Sequence, residues 1–334
     1  MLSSSHNTVM AEQTQWPATL ETHQHAIDWL MEGDPAIRWQ TMRDLLDAPA
    51  KQWQAEQRMT LTEGWGAQLL SHQDSAGTWG GGVYSPKWIS TTYTLLMLRD
   101  IGIPRDCVPA LRGARIAVDG LVGKEDDPQI AKRLANQDRC LIGMALEIAV
   151  YFGVHDWRIE AMVDNLLDEV MPDGAWNCRR HKRPFPHHSS FHTTFNVLDG
   201  LRDYIELYKG KRRADVLTAE HSALELTLQH HLFRSDKTGE VIDEKWMLMS
   251  YPHRWHYDAF RGLSYFARIN APRDARLQDA IDLLLSKRHE DGTWSNENRY
   301  SAKEFFRMEG VGRKPSRWNT LRALRILKWW QAGA

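Results

Sequence analysis

A chain of 334 residues with 42% hydrophobic side chains can bury a sizeable core. Its 42 Lys plus Arg against 43 Asp plus Glu leave a net charge of −1, which removes any bulk attraction to nucleic acid or an anionic membrane surface. No apolar run of about 18 residues is present, and the opening MLSSSHNTVMAEQTQ lacks the apolar middle of a signal peptide, so a cytoplasmic protein without a transmembrane segment is expected.

Residues 1–20 are polar without apolar period and are expected to be disordered, with one domain over 21–334. Ile27, Leu30 and Met31 recur at helical spacing, and Gly33-Asp34-Pro35 ends that helix and starts AIRWQTMRDLL, which makes one hairpin. A helix over about 53–73 leads through QDSAGTWGGG to the apolar KWISTTYTLLMLRDIG. An amphipathic helix over 104–121, the polar loop GKEDDPQ and NQDRCLIGMALEIAVYFG follow. Then 157–170 leads through MPDGAW to SFHTTFNVLDGLRDYIELY, and 211–232 leads through a degenerate turn to HRWHYDAFRGLSYFARI. Finally 273–288 leads through HEDGTW and a long loop to SRWNTLRALRILKWW.

Three turns align, QDSAGTW at 73–79, MPDGAW at 171–176 and HEDGTW at 289–294, and the gaps between them leave room for one degenerate repeat each. With the N-terminal hairpin, six helical pairs result, whose apolar faces can be buried only against neighbours. The predicted fold is all-α, an (α/α)6 toroid with an outer charged helix and an inner apolar helix in each pair. An open superhelix of the same hairpins is the alternative. No alternating segment long enough for a sheet is present.

The QDxxGxW pattern at Gln73–Trp79, looser at 173–176 and 291–294, resembles the repeats of squalene–hopene cyclases and protein prenyltransferase β subunits over residues 21–330. The resemblance implies an (α/α)6 barrel whose central cavity holds an isoprenoid. The chain departs from class II terpene cyclases in having no DxDD acid, since Glu125–Asp127 sits in a loop. FHTTFNVLDGL is similar to the prenyltransferase segment FYHTxxxLSGL, which puts His192 on a metal-ligand position. Asp173 matches the family's Asp, Ala175 stands where its Cys would be, and Cys178 comes three residues later. Lanthipeptide cyclases, another helical toroid family, resemble this chain in using two Cys and one His.

In such a ring every inner-helix N-terminus opens at one mouth, which can gather Cys140, His192 and His256 with the loop residue Cys178. Thiolates and imidazoles are zinc ligands, so a zinc site is one expectation, with His188 as a further ligand four residues before His192. A buried Cys can equally be a small core residue. The three cysteines, Cys107 included, do not form a disulfide framework and are read as reduced thiols. His181 and His187 sit among Arg179, Arg180, Lys182 and Arg183 in what reads as a solvated basic loop or an anion clamp.

Arg-Trp recurs at Arg38-Trp39, Arg254-Trp255 and Arg317-Trp318, either for packing or for a ligand anion against an apolar wall. Fifteen tryptophans raise the same choice. Trp88, Arg254, Trp255 and Trp318 are the expected substrate-binding residues. His256, Tyr257 and Asp258 form an acid/base set, and the loop at 299–316 reads either as a lid delivering Glu309 or as an ordinary outer wrap.

Three functions follow as expectations. The first is a zinc-assisted enzyme acting on a small or isoprenoid-like apolar substrate in the ring. The second is a metal-free enzyme of cyclase, dehydratase or isomerase type using Cys178 or Cys140 with a nearby His, an arrangement that resembles linalool dehydratase-like toroids. The third is a binding module for a lipid-like ligand or a protein.

Overall fold

The computed structural model describes residues 23–178, 184 and 186–332; the segment expected to be disordered and the candidate His181 with its basic neighbours lie outside them. Among the described residues fourteen α-helices and no sheet are found, only three isolated β-bridges. No helix is long and apolar enough to cross a membrane.

The helices form six pairs in chain order. α1 (Gln24–Met31) precedes α2 (Pro35–Asp44), and α3 (Ala50–Met59) with α4 (Gly64–Ser71) precedes α5 (Thr91–Ile101). α6 (Val108–Leu121) with the short α7 (Ile130–Asn136) precedes α8 (Arg139–Phe152), and α9 (Arg158–Asp168) precedes α10 (Phe191–Asp203). α11 (Arg213–Gln229) precedes α12 (Ala259–Arg268), and α13 (Gln278–Ser286) precedes α14 (Arg317–Ala332).

The second members make a closed inner ring. The Trp39 indole of α2 donates to the Ile101 carbonyl of α5 (2.9 Å), and Arg99 of α5 pairs with Glu147 of α8 (3.1 Å). Between α8 and α10 the backbones touch: a Cβ on Gly143 would lie 2.3 Å from the Asn196 carbonyl oxygen, so only glycine fits there. Arg261 of α12 reaches Asp199 of α10 (2.7 Å), and Arg322 of α14 reaches Asp258 at the start of α12 (2.8 Å). Arg325 of α14 then donates to Gln40 of α2 (2.8 Å) and pairs with Asp44, which closes the circle.

The three aligned turns share one geometry. Trp79, Trp176 and Trp294 are fully buried between the rings. Each indole Nε1 donates to the carbonyl ten residues earlier, Leu69, Leu166 and Leu284, at 2.7, 2.7 and 2.8 Å. Each backbone N–H donates to a threonine hydroxyl in the first turn or two of the following inner helix, Thr91, Thr194 and Thr320, at 3.1, 3.3 and 2.9 Å. One tryptophan thus ties the end of an outer helix to the start of the next inner one. The glycine two residues before it is left-handed in all three, with φ of 92, 94 and 82° at Gly77, Gly174 and Gly292, which an L side chain resists.

Four local readings are corrected. The helix expected over 53–73 is split because Asp34 caps the start of α2 and also accepts the Trp65 amide (2.8 Å), which turns the chain at Gly64. The loop after α6 leads into α7, which is too short for a clear apolar period. The helix expected from His253 starts only at Ala259, because Arg254 sits at φ 57°, which a helix does not accommodate. A π-turn over Tyr204–Tyr208 prolongs α10.

Replacing Trp294 by Phe removes a buried hydrogen bond and leaves unfilled volume, so a loss of about 2–4 kcal/mol in chemical denaturation is expected. Thr320→Val, which deletes only the hydroxyl acceptor, is expected to cost about 1–2 kcal/mol in the same measurement.

Candidate active site

The turn after α9 carries Cys178 across to the N-terminus of α8. Its sulfur accepts the Cys140 backbone N–H at 3.1 Å, and its own N–H donates to the Thr193 hydroxyl at 3.3 Å. Asp138 starts α8 without a side-chain cap, so the helix leaves its first amides, and the positive end of its dipole, to the sulfur. The Cys140 thiol donates to Cys178, and this bond, with the Thr193 hydroxyl and the Cys140 amide, outweighs burial and holds the Cys178 thiol below its ordinary range. The same bond and burial push Cys140 up, so it remains a thiol. Of the two sulfurs, Cys178 is shifted towards the thiolate and Cys140 is its donor. Cys107 lies apart, buried at the start of α6.

Two phenols face this pair. Tyr84 and Tyr93 share a hydroxyl contact of 2.9 Å. Burial and then the nearby sulfurs push Tyr84 up, and burial raises Tyr93 further, so both stay protonated. Neither was singled out by the sequence. A tyrosine nine residues before another, with one in a glycine-rich turn, has no pattern to mark it.

An aromatic wall continues from them. Trp88 meets Tyr93 edge-on, with centroids 4.7 Å apart, and its indole donates to the Tyr300 carbonyl at 2.8 Å. The His256 ring is sandwiched between Tyr300 (3.5 Å, 4°) and Trp255 (3.8 Å, 25°). Trp88 itself is held at φ 71°, costly for a bulky residue and kept by its buried contacts. Lys87 lies over the Trp88 and Trp255 rings, and Arg254 over Trp88 at 5.4 Å.

The remaining candidates fall into other roles. His192 and His256 lie side by side (5.6 Å), and burial lowers them to about 4 and about 3, so both are neutral at pH 7. The His192 Nδ1 accepts the Tyr257 amide (2.8 Å), which leaves the ring proton on Nε2 and neither nitrogen free for a metal in the neutral ring. His188 is exposed and precedes α10, whose N-cap is Ser190, so it does not share a helix face with His192. Among the described residues no three His, Cys, Asp or Glu side chains group to hold a metal ion.

Tyr257 is fully buried with its hydroxyl committed to the Leu232 carbonyl (2.7 Å). Asp258 is the N-cap of α12, accepting the Arg261 amide (2.7 Å) and Arg322 (2.8 Å). Glu309 is turned to the start of α14, where it accepts the Trp318 amide (3.1 Å) and the Ser316 hydroxyl, and burial raises its carboxyl. Trp318 stacks on Tyr251 (4.5 Å) and Trp65 (6.0 Å). These four side chains brace the mouth, with Asp258 and Tyr257 placed away from open space.

The 299–316 loop does cover the mouth. Under it lies a cleft of about 560 Å³ including its solvent-open part, lined by Trp88, Met97, Tyr251, Arg254, Phe305 and Glu309 among others. On the far side of the ring, the inner helices carry a buried ionic network in which Arg99 holds Asp203 (3.0 Å) and Glu147 (3.1 Å).

No family model matches the chain, and no curated protein matches it. Among solved structures it is similar to a protein from Actinoplanes at 15% identity, covering 94% of this chain and 99% of that one, with a TM-score of 0.43. It is also similar to a type II terpene cyclase from Scytonema in complex with merosterolic acid A, at 14% identity over 84% and 96% of the chains and a TM-score of 0.29.

Alkylation rates followed against pH are expected to show Cys178 reacting first, with a midpoint below that of an ordinary thiol, and Thr193→Val should raise that midpoint. Because His192 and His256 are lowered in the folded state, the unfolded chain binds more protons below pH 6.5. The denaturant midpoint should therefore fall as pH drops from 6.5 towards 4, and His192→Gln should flatten that slope.

Proposed function

We propose that this protein is an enzyme performing metal-free acid–base chemistry on a small, largely apolar molecule of isoprenoid type, with Cys178 as the base. The reading is carried by the Cys178 sulfur, held between the α8 N-terminus and the Cys140 thiol so that the thiolate is favoured. The proton donors in this reading are the Tyr84 and Tyr93 hydroxyls, which are hydrogen-bonded to each other, with Tyr84 within electrostatic reach of both sulfurs.

An elimination balances with these groups. The Cys178 thiolate removes a proton from carbon, a phenol protonates the departing hydroxyl as water, and the new thiol returns its proton to the phenolate. Run backwards, the same steps hydrate an alkene; with a proton returned to a different carbon they isomerise one. Positive charge developing on carbon would face the Trp88 and Trp255 rings. A neutral His256 between two aromatic rings adds to that wall.

The test is turnover of ten- and fifteen-carbon isoprenoid alcohols and alkenes in heavy water, with products and deuterium content read by mass spectrometry. Conversion with deuterium incorporation, unchanged by chelator and reduced at least about a hundredfold in Cys178→Ser, is the expected result. Activity lost to chelator and restored by zinc would replace this mechanism by the metal-assisted one. Saturable binding with every ligand recovered intact, and no effect of Cys178→Ala, would make the protein a binding module.

A further inference from the structure

The cleft beside this site contains a charge arrangement that the acid–base chemistry does not use. Arg254, whose side chain is 8% exposed, donates to one oxygen of Glu304 at 3.3 Å, and Arg299 donates to the other at 2.6 Å. Glu304 belongs to the covering loop, whereas Arg254 belongs to the segment before α12, with its guanidinium over Trp88 at 5.4 Å. Both arginines and Glu304 line the cleft. A carboxylate is therefore gripped from two sides against an aromatic face, inside a space open to solvent.

Two further observations bear on what that grip is for. The Tyr251 hydroxyl, in the same wall and on a residue 8% exposed, has no hydrogen-bond partner among the described residues. A buried hydroxyl left without a partner is destabilising, and a ligand oxygen in the cleft would satisfy it. Arg254 is also held at φ 57°, where a non-glycine residue is strained, and that backbone directs its guanidinium to the cleft. A loop anchor alone needs neither feature.

We propose that Arg254 and Arg299 form the subsite for an anionic headgroup, a carboxylate or phosphate ester on an apolar body, and that Glu304 is the chain's own carboxylate occupying it until such a ligand displaces it. Planar guanidinium forks match either anion bidentately, and Tyr251 supplies a further donor. The apolar body lies along Trp88, Met97 and Phe305, which line the same cleft. This assignment rests on reading the mouth as a substrate site, yet it concerns binding alone, so it is tested without turnover.

Intrinsic tryptophan fluorescence is titrated with octanoate, octyl phosphate and octan-1-ol in the wild type and in Glu304→Gln, Arg254→Met and Cys178→Ser, with circular dichroism checking each fold. At least one anion should bind saturably and more tightly than the alcohol in the wild type, an arm that needs no variant. Glu304→Gln should tighten that anion about tenfold or more, and Arg254→Met should weaken it by a similar factor while leaving the alcohol unmoved. Cys178→Ser should bind as the wild type does, so failure of the proposed chemistry leaves this result intact. Preference for phosphate over carboxylate, or the reverse, identifies the headgroup. No saturable anion binding, an alcohol that binds as tightly as both anions, or anion affinity unmoved in folded Glu304→Gln and Arg254→Met overturns the assignment.

Discussion

The structure depends on one repeated constraint, a buried tryptophan that bonds in two directions. Its indole N–H closes on the outer helix ten residues back, and its amide closes on a threonine of the inner helix ahead. Because both bonds are buried, the turn fixes the distance and direction between the two helices. Three such ties, set around the ring, bring the starts of the inner helices to the same side. The mouth, and everything chemical at it, follows from that alignment.

At the mouth, helix geometry supplies what charged side chains do not. The amide of Cys140 and the open N-terminus of α8 favour negative charge on Cys178, although Asp138 nearby opposes it. Burial at the same place keeps His192 and His256 neutral and the tyrosines protonated, so a low dielectric separates the groups into one base and several donors. The loop over the mouth is joined to this set through the Trp88 bond to Tyr300 and the stacking of Tyr300 on His256. Movement of the loop and the environment of the site are thereby coupled.

The ring was legible in the sequence because glycine, tryptophan and helical period are local signals, and the three turns preserve all of them. Cys140 and Cys178 were legible as chemistry because thiols near helix starts are few in this chain. What escaped was set by contacts distant in sequence. Tyr84, Tyr300, Arg299 and Glu304 acquire meaning only when the loop folds over the ring, and no spacing announces that. Asp258, Tyr257 and Glu309 have the residue types of catalysis and also make capping and buried hydrogen bonds, since a helix start needs an acceptor as much as an active site needs a base. The zinc expectation rests on residue types alone, whereas which His192 nitrogen carries the proton is set by the Tyr257 amide on Nδ1, a contact made across 65 residues of sequence.

The closure of the inner ring by α14 on α2 sets this chain apart from stacked arrays of similar hairpins. Arg325 reaches Gln40 and Asp44, and Lys328 reaches Asp47 (2.7 Å), so the last inner helix is also the neighbour of the first. An open solenoid can lengthen or shorten by one unit and lose only a cap. A circle cannot, because a seventh pair would part α14 from α2 and expose the faces both now bury. An added unit would have to pair with both α14 and α2, whereas the connections at the mouth, the long loop and the cysteine-bearing turn among them, can change without touching that closure.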